Sequence, residues 1–208
     1  MTLDLDTLVL RSGAHTSPLD GVSLMEAVSA FAGEPWSNRP SCTSPVIAAY
    51  ARSLNDWLPD DARQRLKVYI PRLVGTAAPD LELRRAFACA DAAVRVFAPL
   101  AFAAGGLVEE AAKLGALAPV DRESVESAES AAESAESMRS AADSARSAAR
   151  SARSASSAAR SAATESARSA ESAQAAARSA ARTVESAPEA AARSAAFELL
   201  DRLIAAAS

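Results

Sequence analysis

Between Pro119 and Pro188 the chain has neither glycine nor proline, and serine returns through it at positions 124, 127, 130, 134, 137, 140, 144, 147, 151, 154, 157 and 161, usually followed by alanine. Few other side chains are available there beyond arginine and glutamate. Alanine is the best helix former and arginine and glutamate follow closely, so the composition favours helix. Serine is its weak point, because a hydroxyl competes for backbone groups. The 37 residues from Ser124 to Ser161 hold 11 steps. The mean step is therefore about 3.4 residues, less than one helical turn, and a stripe of that period drifts left-handedly as a left-handed coiled-coil seam does. After Ser161 the spacing loosens. Asp121 caps the start. The pattern predicts one helix from about Arg122 to Glu185, roughly 95 Å long.

Val125, Met138 and Val184 are the only bulky apolar residues along that helix. Burial must come from small faces that approach closely, which predicts a tight Ala/Ser helix pair; the alternative is a solvated low-complexity tract. Residues placed on an oligomerisation face are Ser127, Ser130, Ser134, Met138, Ser144, Ser147, Ser151 and Ser161. Charge selects the direction of pairing. Glu123, Glu126, Glu129, Glu133 and Glu136 make the first block acidic, and Arg139, Arg146, Arg150, Arg153 and Arg160 make the next basic. An antiparallel partner centred near Met138 opposes acid with base, while a parallel one opposes like with like. Ser186-Ala187-Pro188-Glu189 then starts a last helix, whose apolar face of Phe197, Leu199, Leu200, Leu203 and Ile204 needs a cover, either the rest of the chain or a second copy.

Composition changes sharply near Pro119. Before it lie both tryptophans, both tyrosines, both cysteines and all seven glycines. Three regions follow: a globular head over 1–118, the repeat over 119–186, and an amphipathic helix over 187–208. The head is punctuated for helices. Ser17-Pro18-Leu19-Asp20 reads as a start before Val22, Leu24, Met25, Val28 and Phe31, with Gly33 as the stop. Ser44-Pro45 starts a second helix and Pro59-Asp60-Asp61 a third, which Pro71 kinks and Gly75 ends. A fourth covers Leu81 to about Phe97, and Leu107–Leu114 a fifth. Leu3–Leu10 alternates like a strand, but one strand has no visible partner. The expected class is all-α: a small bundle, a long Ala/Ser helix of coiled-coil type and a short amphipathic helix.

A net charge of −4 argues against a general nucleic-acid binder. The apolar window from Ala86 to Val108 is interrupted by Asp91, Arg95 and Pro99, which reads as a buried helix pair and not a membrane span. The first ten residues lack the basic start of a secretory signal, so the expected location is the cytoplasm. A single histidine excludes two-histidine metal sites. His15 with Asp20, Glu26 and Cys42 is the one conceivable metal or acid/base cluster, against a plain loop histidine; no cofactor is expected. Glu34-Pro35-Trp36-Ser37-Asn38-Arg39-Pro40 is a rigid loop, and His15, Trp36 and Arg39 are the candidate contacts for a protein partner.

Asp20-Gly21-Val22-Ser23-Leu24-Met25-Glu26-Ala27-Val28, Ala32-Gly33-Glu34-Pro35-Trp36-Ser37-Asn38-Arg39-Pro40-Ser41-Cys42, Ser44-Pro45-Val46-Ile47 and Ile70-Pro71-Arg72-Leu73-Val74-Gly75-Thr76 give residues 12–76 a recognisable signature. It resembles a family of proteins from actinobacteria, other high-GC bacteria and their phages that has no established activity. Such proteins often carry Cys where Ser23 stands and Asp where Asn38 stands. The resemblance therefore implies a family and no reaction. Three functions compete at this point: a non-enzymatic self-assembly protein pairing antiparallel through its Ala/Ser helix, a protein-binding module with the helix as spacer, and a small metal or enzyme site near His15.

Overall fold

A computed structural model describes residues 4–138, 143–164 and 169–205, which are all-α, with no strand among the described residues. Leu3 and Arg139 lie outside them. Leu8 and Leu10 are buried without a strand partner. Instead the Gln64 side chain donates to Leu10 O at 3.0 Å and accepts from Leu10 N at 2.9 Å, satisfying both backbone groups as a neighbouring strand would. Helix α1 is Leu24–Phe31. Its start is Ser23 and not Ser17, because Asp20 N bonds back to Ser17 O in a turn and Gly21 has φ 145°. Phe31, expected in the core, is 44% exposed. Helix α2, Pro45–Trp57, begins where expected, with Ser44 Oγ accepting from Ile47 N. Short turns follow: α3 (Asp60–Arg63), a 3-10 turn (Gln64–Tyr69) and α4 (Ile70–Leu73).

The expected helix pair around Pro99 is one helix with an inserted wide turn. Helix α5 (Glu82–Ala92) runs through a π turn (Ala93–Phe97) into α6 (Ala98–Ala104). A proline lacks the N–H and its ring crowds the carbonyl four residues back, here Arg95 O; the π turn opens the ladder just where that carbonyl must be released. Pro79–Ala104 has the length and hydropathy of a membrane span, yet it is the central core helix of this bundle, with Ala86, Cys89, Val94, Phe97 and Phe102 fully buried. Helix α7 is Val108–Gly115.

The repeat differs most from expectation. Its described residues form three helices, α8 (Val125–Glu136), α9 (Asp143–Thr164) and α10 (Ser169–Glu185), not one. The physical reason is that one straight helix would leave its alanine face in water, whereas folding back gives that face protein on the other side. The pairing is antiparallel and within one chain: Arg160 meets Glu129 at 3.1 Å, Arg150 meets Glu136 at 2.9 Å and Arg153 meets Glu136 at 3.2 Å. The acid-against-base register read from the sequence thus closes a hairpin. Alanine points inward, with Ala145, Ala148, Ala149, Ala152, Ala155 and Ala159 fully buried. Most serines point outward, with Ser156 and Ser179 buried: Ser127, Ser130, Ser134, Ser144 and Ser147 are exposed, and Ser151, Ser161 and Met138 half-buried. The serines placed on an oligomerisation face are therefore mostly the solvent side of the helices, and the packed face lies one residue further on.

Helix α10 is wedged among α9, α2 and α5, so head and repeat share one core. Helix α11 (Glu189–Ala205) closes it. Leu200 and Leu203 are buried and Ile204 half-buried against the head, and not against a second copy of the helix. Tyr50 Oη donates to Ala196 O at 3.1 Å, Tyr69 Oη donates to Asp201 at 3.2 Å, and Arg202 pairs with Asp91 at 3.3 Å. Arg85, 0% exposed, donates to Leu203 O at 3.3 Å in the last turn of α11 and pairs with Glu82 at 2.7 Å. A cation there complements the negative helix end. Glu82 in turn accepts from Ser44 Oγ and Val46 N at the start of α2.

Candidate functional site

The loop after α1 is held at every turn. Gly33, at φ 73°, takes the chain out of the helix, and Ser29 Oγ donates to Pro35 O at 2.6 Å. The Glu34 carboxylate accepts from Ser41 N, Ser41 Oγ and Cys42 N within 2.9 Å. Those bonds, the Ser41 hydroxyl first, hold its carboxyl below the ordinary range. Trp36 Nε1 donates to His15 O at 3.0 Å, tying this loop to the preceding one. Of the three proposed partner contacts, then, Trp36 and His15 latch the loop, and Arg39 alone stands exposed at its tip.

His15 does not gather a metal cluster. Its Nδ1 lies 2.9 Å from Glu26 Oε2, its N–H donates to Glu26 Oε1 at 2.6 Å, and a methyl at Gly21 would come within 2.5 Å of its Nε2. Burial works to raise the Glu26 carboxyl, but the His15 and Ser23 donors outweigh it and hold it below its ordinary value. Asp20 accepts from Thr16 and Ser17, and Cys42 belongs to the turn that Glu34 closes. No group of three His, Cys, Asp or Glu among the described residues is placed to hold a metal.

What the rigid loop does form is one wall of a cleft. A cavity of about 280 Å³ is bounded by Arg39 and Ser41 on the loop, Arg52 and Ala48 on α2, and Gln174 on α10. Arg178 lies one helical turn along α10 from Gln174. Arg52 Nη1 donates to Asn38 O at 3.0 Å, which fixes the guanidinium between loop and helix. Burial, with Arg39 and Arg178 close by and only Asp56 opposing them, lowers the Arg52 pKa to about 10. None of these three arginines has an acidic side chain within ion-pair distance among the described residues, whereas Arg63, Arg72, Arg85, Arg95, Arg150, Arg153, Arg160 and Arg202 all do. In a chain of net charge −4 this is a local positive field opposed only by Asp56 at Arg52.

Sequence reasoning found Arg39 and missed Arg52, Gln174 and Arg178. Arg52 had a weak signal as the only cation of its helix, whose other polar side chains beyond serine and tyrosine are Asn55 and Asp56. Arg178 had none, since the repeat offers arginines every few residues and only the fold-back onto α2 singles this one out. No family model, no curated protein and no solved structure matches the chain, which leaves the resemblance of residues 12–76 resting on its motifs alone.

Proposed function

We propose that the protein is a cytoplasmic, monomeric binding module that grips an acidic segment of a partner protein in the Arg39–Arg52–Arg178 cleft. The observation that carries this reading is the cluster itself: three arginines from three elements, held on rigid supports and lacking acidic partners. Planar guanidinium groups match carboxylate pairs bidentately, and a cleft walled by Pro40, Pro45 and Ala48 keeps the contact partly out of water. The alternating Ala/Ser helices serve this module as packing and not as an adhesive rod or a spacer, because their small-residue faces are already covered within the chain. The free thiols Cys42 and Cys89 accord with a reducing compartment.

The test is fluorescence anisotropy of a labelled octaglutamate peptide titrated with the full chain. Saturable binding is expected, weakening between about 50 and about 200 mM salt and falling about tenfold or more in the R39A/R178A double variant. No binding, or binding indifferent to that double variant, overturns the reading. Light scattering is expected to give 21.4 kDa. A stable higher oligomer, dispersed by substitutions along Ser127 and Ser134, would return the function to self-assembly.

A further inference from the structure

Glutamine occurs in the chain only at positions 64 and 174. Gln174 is the one break in a tract otherwise built from serine, alanine, arginine and glutamate with a few other residues, and it stands on α10 at the wall of the arginine cleft. It is half-buried, and its carboxamide takes no hydrogen-bond partner among the described residues. The polar side chains around it are either committed or able only to donate. Ser41 gives its hydroxyl proton to Glu34 at 2.7 Å, and Thr43 gives its own to Leu73 O at 3.1 Å. Arg39, Arg52 and Arg178 carry donors and no acceptor. Gln174 is thus the cleft side chain with a donor and an acceptor both uncommitted.

The other glutamine shows what such a pair is suited to hold. Gln64 donates to Leu10 O at 3.0 Å and accepts from Leu10 N at 2.9 Å, so one carboxamide satisfies both backbone groups of an extended residue. An acidic segment entering the cleft has the same need. Its like charges repel at helical spacing and keep it extended, which leaves its N–H and C=O groups unbonded to each other. Guanidinium groups meet its carboxylates and carbonyls. They cannot meet an N–H, which loses water on entry and needs an acceptor.

We propose that Gln174 grips the main chain of the bound segment, its Nε2 donating to one residue's carbonyl and its Oε1 accepting from the same residue's N–H, while Arg39, Arg52 and Arg178 take the acidic side chains. The cleft thereby selects an extended acidic peptide over a polyanion that has no peptide backbone. This inference rests on the acidic-partner reading and adds to it the conformation in which the partner is held.

Two labelled probes separate backbone from charge in anisotropy titrations with the full chain: octaglutamate, and an acrylic acid oligomer of matching length, which carries similar charge and no amide. Q174A places alanine in a helix rich in it, so an unchanged circular dichroism spectrum is expected. That variant is expected to weaken octaglutamate about fivefold or more and to leave the acrylic oligomer within about twofold, whereas R39A/R178A weakens both. Octaglutamate methylated on its backbone nitrogens keeps its charge and loses its N–H groups. It is expected to bind the parent about fivefold more weakly or worse, and to lose little further in Q174A, since both changes remove the same contact. Either of two results overturns the inference alone: octaglutamate binding that is lost in R39A/R178A yet unchanged in Q174A, or a Q174A variant that weakens both probes equally. Absence of saturable binding by either probe, or binding indifferent to R39A/R178A, overturns the acidic-partner reading and this inference with it.

Discussion

The head and the repeat bury their surfaces by opposite means. In the head, Leu24, Met25, Ile47, Tyr50, Leu54, Phe97 and Phe102 fill space with large side chains between helices that need not approach closely. In the repeat, alanine does nearly all of it, and the helices touch through methyl groups. A large side chain carries its own burial free energy with it, about 1.5–3 kcal/mol each, and tolerates a modest separation. An alanine carries little, so its contribution depends on how near the next backbone comes. The two regions are thus sensitive to opposite errors: the head to losing volume, the repeat to gaining it.

The sharpest way to break that contrast is to shrink the head. Phe97→Ala is expected to cost about 3–5 kcal/mol in urea unfolding, the range for a large aromatic removed from a packed core. Enlarging the repeat comes next. Ala152→Leu, at a fully buried position of α9, is expected to cost about 1–3 kcal/mol, while the converse change on the outer face, Ser147→Ala, is neutral or gains a few tenths. An Ala152→Leu variant as stable as the parent would mean that the repeat helices are looser than described. Charge pairing ranks below both. Arg160→Ala removes the contact to Glu129 at a half-exposed site and is expected to cost about 0–1 kcal/mol, shrinking further at high salt.

Acid unfolding sharpens the comparison from the head's side. The Glu26 carboxyl is held below its ordinary value of 4.5 when folded. Its contribution is therefore complete above about pH 4.5 and lost as pH falls through the lower, folded value. Substitution to Gln is expected to lower stability at pH 7 and to flatten the acid limb of the stability curve. Unchanged steepness in E26Q would show that the loop–helix junction at His15 is not where acid acts.

The sequence carried the helical class, the start at Ser44 and the stop at Gly33, because each is set by residues close in the chain; Ser186, read as the cap of the last helix, instead bonds back to Arg182 O, and α11 starts at Glu189. It did not carry the fold-back. Periodicity says which face of a helix is small, but not whether the matching face belongs to another chain or to the same one fifteen residues on. The absence of glycine and proline predicted continuity, yet burial of alanine methyl groups outweighed the propensity of a serine-rich segment to stay straight. The arginine cleft was illegible for the same reason: Arg52 and Arg178 are 126 positions apart and become neighbours only through the α10–α2 contact. The cap of α1 was misplaced for a local reason: Ser17-Pro18-Leu19-Asp20 has the look of a start, yet Ser23 and Glu26 three residues on form the capping box that begins the helix.

The contacts of α11 set an order of events during synthesis. Tyr50 and Arg85 are made 146 and 118 residues ahead of their hydrogen-bond acceptors, Ala196 O and Leu203 O. A nascent chain extends from its N-terminus, and domains assemble as units when their residues become available. Until α11 leaves the ribosome, the head holds a cation paired to Glu82 alone, a phenol without its acceptor and an uncovered apolar wall. The head is therefore completed only after the repeat that follows it has been made. A stalled or C-terminally clipped chain is left not with a frayed end but with an open core.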